Sequence, residues 1–162
     1  MYGGHAMHIE LTKNPIILAR LTKGTHELFG ELYPDFFKPF SYEAAEQYYA
    51  QFIAEEKNEF YVLYDLFDGN EMTGFIWVYV IEKDETPLTR SYKSLFVNKV
   101  VVHPKFRNRG YEKELLMFVE SLAQEKGCNI LETKLSFDEN DAVDILEIRK
   151  FQLASGIMWK QL

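Results

Sequence analysis

Cysteine is nearly absent from this chain. Cys128 is the one thiol in 162 residues. No intrachain disulfide can form, and the usage fits a reducing, cytoplasmic compartment. Cys128 itself reads as a small residue ending a helix–strand connection rather than as a nucleophile. Long apolar runs are also missing. None reaches the ~20 residues that a membrane span needs. The N-terminus lacks the charged-then-apolar order of a secretory signal. Positive charge is in deficit: 18 Lys and Arg stand against 25 Asp and Glu, a formal net charge of −7. That balance disfavours nucleic acid or an anionic membrane as a partner, because phosphates are repelled. It mildly favours a cationic substrate. The four histidines, at positions 5, 8, 26 and 103, are scattered, and no His/Cys/Asp cluster has metal-ligand spacing. There is no Gly-x-x-x-x-Gly-Lys-Ser/Thr phosphate loop and no Gly-x-Ser-x-Gly elbow. Internal repeats and low-complexity stretches are absent too.

What is present is a foldable core. Apolar residues make up 47% of the chain, which argues against disorder. A chain of this size hides roughly 68–70% of its unfolded surface. Residues 7–162 are expected to form a single domain. Met1 to Ala6 read as a tag remnant or a disordered N-terminus.

Local patterns then alternate between two periods. His8 to Leu11 is a short first strand. Asn14-Pro15 reads as an N-cap with proline at the first helical position. Ile17, Leu21, Leu28 and Leu32 follow at helical spacing, with Gly24 expected to break the helix in two. Ser41 caps a second helix, with Glu43 near its positive end. The aromatic stretch from Tyr33 to Tyr42 reads mostly as core. Phe60 to Phe67 and Gly74 to Ile81 are strand-like around the turn signal Asp68-Gly69-Asn70, so they predict a hairpin. Leu95 to Val102 is a third strong strand. Tyr111 to Glu125 is amphipathic at period 3.6, with Leu115, Val119 and Leu122 on one face, and Gly127 ends it. Asn129 to Leu135 is a further strand. Asp138 or Asp141 caps a last helix carrying Ala142 and Ile145, and Phe151 to Leu162 returns to strand-like sequence. The class is α/β (α+β): a mixed, mostly antiparallel sheet with one parallel βαβ crossover through Tyr111–Glu125, flanked by helices.

The informative segment runs from Val100 to Leu116. A buried strand enters a basic loop that ends in Gly110 and opens a helix. The first N–H groups of a helix lack backbone partners, and the dipole there is positive. Such a turn is a ready seat for a pyrophosphate. Arg107 and Arg109 add donors that match phosphate oxygens. On spacing alone, an ordinary turn with solvated arginines fits as well. The turn follows the most apolar strand, however, and four cations cluster from Lys105 to Lys113 in an otherwise acidic chain.

These residues resemble the GNAT family of N-acetyltransferases. Val102-His-Pro104 followed by Arg107-Asn-Arg-Gly110-Tyr-Glu112 is similar to that family's main signature, and Gly74-Phe-Ile-Trp looks like its third strand. The specific motif covers residues 98 to 126. The resemblance implies a GNAT-like fold and acetyl-CoA as co-substrate. It implies that Val101, Val102, Arg107, Asn108, Arg109, Gly110, Tyr111 and Glu112 hold that ligand. It also implies a small-molecule or peptide amine as acceptor, attacked directly on the thioester, with a homodimer among the compatible assemblies. Asn98 and His103 are the catalytic candidates, the first by holding a water or a substrate group, the second as a base. Lys99 reads as a surface residue. Glu132, on the next strand, points either into the cleft or away from it.

Two departures from the family pattern favour an alternative, a GNAT-fold module that senses a ligand or binds protein without transfer. Glu112 stands where the family prefers Gly or Ala, and a carboxylate ~5 Å from a phosphate costs roughly 1–3 kcal/mol. Leu146 stands where the family often has a tyrosine acid, and leucine donates no proton.

Overall fold

The computed structural model describes residues 7–66, 70–134, 150–152, 154, 158, 160 and 162. The strands are β1 (Met7–Thr12), β2 (Glu59–Asp65), β3 (Glu71–Lys83), β4 (Tyr92–Val102) and β5 (Ile130–Thr133). The helices are α1 (Pro15–Leu32), α2 (Tyr42–Ile53) and α3 (Tyr111–Glu125). The strands form one sheet in sequence order. Its first three pairings are antiparallel, and β4 with β5 is parallel across α3. This is the expected mixed sheet with one crossover. The hairpin-turn residues 67–69, the expected last helix and nearly all of the final strand-like segment lie outside the described residues.

Local chemistry accounts for the helix starts. The Asn14 side chain accepts from the Ile16 N–H at 3.0 Å, with Pro15 as the first helical residue. Ser41 accepts from the Ala44 N–H, and Glu43 sits in the first turn of α2. The sheet then buries two apolar faces. One carries Leu63, Ile76, Val78, Leu95, Val97 and Val102 against Leu115, Val119 and Leu122 of α3. The other carries Phe60, Val62, Phe75, Trp77 and Val101 against Leu18 and Leu21 of α1 and Tyr49 of α2. Each such side chain contributes about 1.5–3 kcal/mol when fully buried. Strand alternation divides them between the faces. Among the described residues, no helix is long and apolar enough to cross a membrane.

Gly24 does not break α1, which runs without interruption for 18 residues. The reason lies outside the helix. A Cβ on Gly24 would meet the Pro104 ring, with Cγ and Cδ both at 2.8 Å. Glycine there lets α1 lie close against the loop that follows β4. Helix propensity alone would make Gly24→Ala more stable by ~1 kcal/mol. Because a rigid ring must move, the variant is instead expected to lose about 1 kcal/mol in urea unfolding. A gain would show that the loop yields freely.

Candidate active site

The geometry of β4 sets the site. β5 pairs with β4 only from Ser94 to Val97, whereas β3 pairs with it as far as Val102. Among the described residues, Asn98 to Val102 have β3 on one side and an open edge on the other. Trp77 pairs with Lys99 and Val78 with Val97, so Asn98 is the extra residue of a β-bulge. The bulge turns two successive side chains to the α2 face. Asn98 lines a cleft of about 230 Å³ with Tyr48, Phe52, Trp77 and Tyr79. The Lys99 ammonium donates to Tyr49 Oη at 3.4 Å. Beyond the bulge alternation resumes, with Val100 and Val102 toward α3 and Val101 toward α1 and α2.

A directed chain of hydrogen bonds anchors Lys99. Thr22 Oγ1 donates to the Leu18 carbonyl at 2.8 Å and lies 2.6 Å from Tyr49 Oη. A hydroxyl has one hydrogen, so Tyr49 must donate to Thr22. The Tyr49 oxygen is then left to accept from Lys99. Burial pushes the Tyr49 hydroxyl up to about 12. Tyr49 therefore keeps the proton that this chain requires. Lys99 was expected at the surface; the bulge moves it to the α2 face, a shift that strand alternation in the sequence does not reveal.

Glu132 lies on the same face. It pairs with Phe96, whose ring packs 5.2 Å from Tyr79. Burial raises the Tyr79 hydroxyl above its usual value, and the nearby Glu132 charge raises it further. Its neighbour Leu131 packs toward α3 instead. Asn58 fixes the floor of the cleft, accepting from Trp77 Nε1 and donating to the Phe52 carbonyl, both at 3.0 Å.

The loop after β4 begins with a 3-10 turn at Pro104–Phe106. His103 Nδ1 accepts the Lys105 N–H at 3.2 Å, so one ring nitrogen serves as a cap. The ring lines a second cavity, about 530 Å³, with Tyr64, Met72 and Phe106. Asn98 lines the cleft beside α2, so the structure does not bring Asn98 and His103 into one cavity. They lie five positions apart in the chain, at most roughly 16 Å at ~3.3 Å per residue.

The residues expected at the phosphate site divide in two. Arg107, Asn108, Arg109 and Gly110 are exposed at the head of α3. Asn108 (φ 60°) and Gly110 (φ 84°) hold left-handed backbone, and no side chain caps the helix. Among the described residues a Cβ on Gly110 would meet nothing within 4 Å, so they leave the space before the helix open. Glu112 is half-buried in the first turn. By contrast, the Val101 and Val102 side chains belong to the two cores. Tyr111 is buried, and its hydroxyl donates to Asp65 Oδ2 at 2.5 Å. Only the backbone of these three is available to a ligand. Lys105 pairs with Glu71 at 3.2 Å, and the Arg109 guanidinium lies 5.6 Å over the Phe106 ring.

An open βα wedge beside an exposed, glycine-led helix start is an arrangement suited to a nucleotide-linked ligand. Residues 25–147 match the acetyltransferase (GNAT) family, and the chain belongs to that family. No curated protein sequence matches it. Solved structures share the fold at low identity. A tetramutant of the BH1408 protein from Bacillus halodurans is 14% identical, with a TM-score of 0.83 over 96% of this chain and 99% of its own. A ribosomal-protein-alanine N-acetyltransferase from Brucella melitensis biovar Abortus 2308 is 18% identical, with a TM-score of 0.65 over 97% and 99%. AAC(6')-Iy, in complex with a CoA-based bisubstrate analogue, is 17% identical, with a TM-score of 0.62 over 97% and 98%.

Proposed function

We propose that this chain is an N-acetyltransferase that moves an acetyl group from acetyl-CoA to a primary amine. The observation that supports this best is the meeting of the open edge of β4 with the uncapped start of α3. Those residues suit the ligand: Gly110 leaves space for a pyrophosphate, the first N–H groups of α3 point at it, and Arg107 and Arg109 stand beside it. In this reading the thioester lies along Asn98 to Val102, where a backbone N–H on the open edge steadies the oxyanion. The amine enters past Trp77 and Tyr79. Its nitrogen bonds to the carbonyl carbon, the C–S bond breaks, and the CoA thiolate leaves. Glu132 takes the nitrogen's proton, because it is the β5 carboxylate on the cleft face. Asn98 orients the amine or a water. His103, whose Nδ1 caps the Lys105 N–H and whose ring lines another cavity, is given no role in this reading.

The test is a titration followed by an assay of thiol release. Acetyl-CoA is expected to bind, and Arg109→Ala to loosen it about 10-fold, the loss of one charged hydrogen bond. No binding at millimolar acetyl-CoA would overturn the proposal. Glu112 favours a second reading, a ligand-sensing or protein-binding module without transfer. Binding without thiol release for any amine would select that reading.

A further inference from the structure

Two lysines line the cleft beside α2, Lys57 and Lys134, and they differ in what holds them. The Lys57 ammonium lies 3.8 Å from a Glu55 carboxylate oxygen and 5.4 Å over the Tyr79 ring. Among the described residues, Lys134 has no carboxylate partner, whereas Lys23, Lys93, Lys105 and Lys126 each pair with a glutamate as Lys57 does. Lys134 is also exposed. Its place in the fold is specific. β5 ends at Thr133, which pairs with Val97 and donates from Oγ1 to the Val97 carbonyl at 3.4 Å. Lys134 is the next residue. It leaves the sheet where the edge of β4 becomes open, one step from the bulge at Asn98. Lys134 and Asn98 line the same cleft. Neighbouring strands lie ~4.8 Å apart, and a lysine carries its nitrogen on a flexible four-carbon stem that spans such a gap.

We infer that the chain acetylates its own Lys134. This rests on the acetyl-transfer reading, which lays the thioester along Asn98 to Val102. The neutral ε-amine of Lys134 bonds to the thioester carbonyl carbon. The C–S bond breaks, the CoA thiolate leaves, and the nitrogen releases a proton to solvent. The product is an Nε-acetyl-lysine in the cleft. A tethered amine is never diluted, so it reaches the thioester as an intramolecular nucleophile while a free acceptor must first bind. Lys57 is tied to Glu55 and to the Tyr79 ring, whereas Lys134 directly follows the residue paired with Val97, so the wedge favours Lys134. Acetylation removes one positive charge from a lining that carries two lysines and Glu55.

Peptide mass mapping of the full chain, incubated with trideuteroacetyl-CoA and no added amine, tests this. Lys134 is expected to take up label at least about 10-fold faster than Lys57 or any other lysine, the advantage of a nucleophile held beside the reacting centre. The rate should not depend on protein concentration, because the transfer stays within one chain. Lys134→Arg keeps the charge but lacks the amine nucleophile, and it should lose the fast phase. Label spread evenly over the lysines, the same pattern in heat-unfolded protein, a rate proportional to protein concentration, or a fast phase intact in Lys134→Arg would overturn the inference. Thiol release with benzylamine or spermidine, while Lys134 stays unlabelled, would overturn this inference alone. Bound acetyl-CoA with neither label nor thiol release from either amine would overturn the transfer reading together with it.

Discussion

Glu132→Gln is expected to lower kcat for amine acetylation by ~10²–10⁴-fold, the usual worth of a general base. Glutamine fills the same volume but takes no proton. Glu132 is half-buried on a short strand whose register is set by the Phe96–Glu132 pairing, so the ring contact of Phe96 with Tyr79 should persist. Melting temperature is therefore expected to hold. A carboxylate is a weak base toward a free ammonium ion. After the nitrogen has bonded to the thioester carbon its proton becomes far more acidic, and a nearby carboxylate suffices. This fixes the pH dependence. The gap between wild type and variant should be widest near neutrality. It should narrow toward the ordinary range of free amines, where solvent hydroxide competes for the proton. Initial rates from pH 6.5 to 9.5 check this (the window is about that of amine ionisation). Activity within about threefold of wild type at every pH would remove Glu132 from the reaction. A uniform loss at all pH values, with a raised KM, would make it a positioning residue instead.

The sequence patterns carried the order of elements as far as β5, the one parallel crossover and the position of the loop at Val102–Gly110, because these rest on local signals. Capping at Asn14 and Ser41, strong strand runs and a glycine before an amphipathic helix are written in neighbouring residues. The GNAT signature was legible for the same reason. The orientation of the cleft was not. Asn98 and Lys99 share a face only because the strand pairing slips by one residue at Val78, and a bulge leaves no mark in the alternation of β4. Glu132 was evenly balanced between two faces until its pairing with Phe96 was known. Gly24 looked like a helix breaker because its cause, the Pro104 ring, is 80 residues away in sequence. Val101, Val102 and Tyr111 sit within the motif but turn their side chains into the core, a division that the motif's spacing does not encode.

Gly74→Ala is expected to cost about 3 kcal/mol, at the upper end for forcing one extra carbon into a packed interior. For a domain of this size that is a fall of roughly 6–12 °C in melting temperature. A Cβ on Gly74 would drive into the Val101 carbonyl oxygen, with Val101 C and Val102 Cα next at 3.2 Å. All three atoms are backbone, so no side chain can rotate away. Gly74 pairs with Val102, and the adjacent Thr73 carbonyl accepts the His103 N–H at 2.8 Å. The clash therefore falls on the last residues of β4 and on the start of the loop. Relief requires β4 to move away from β3 at the point where it borders the open edge. Stability and ligand affinity should then fall together, although Gly74 touches neither the cleft nor the head of α3. Gly110 differs in kind. It has open space around it and needs glycine for its φ of 84°. One glycine thus serves the approach of two strands, and the other serves a backbone turn. Calorimetric unfolding with and without acetyl-CoA separates the effects on Gly74→Ala. If the variant melts within 2 °C of wild type (under ~1 kcal/mol at this size), the close approach of β3 to β4 is not what this glycine is for.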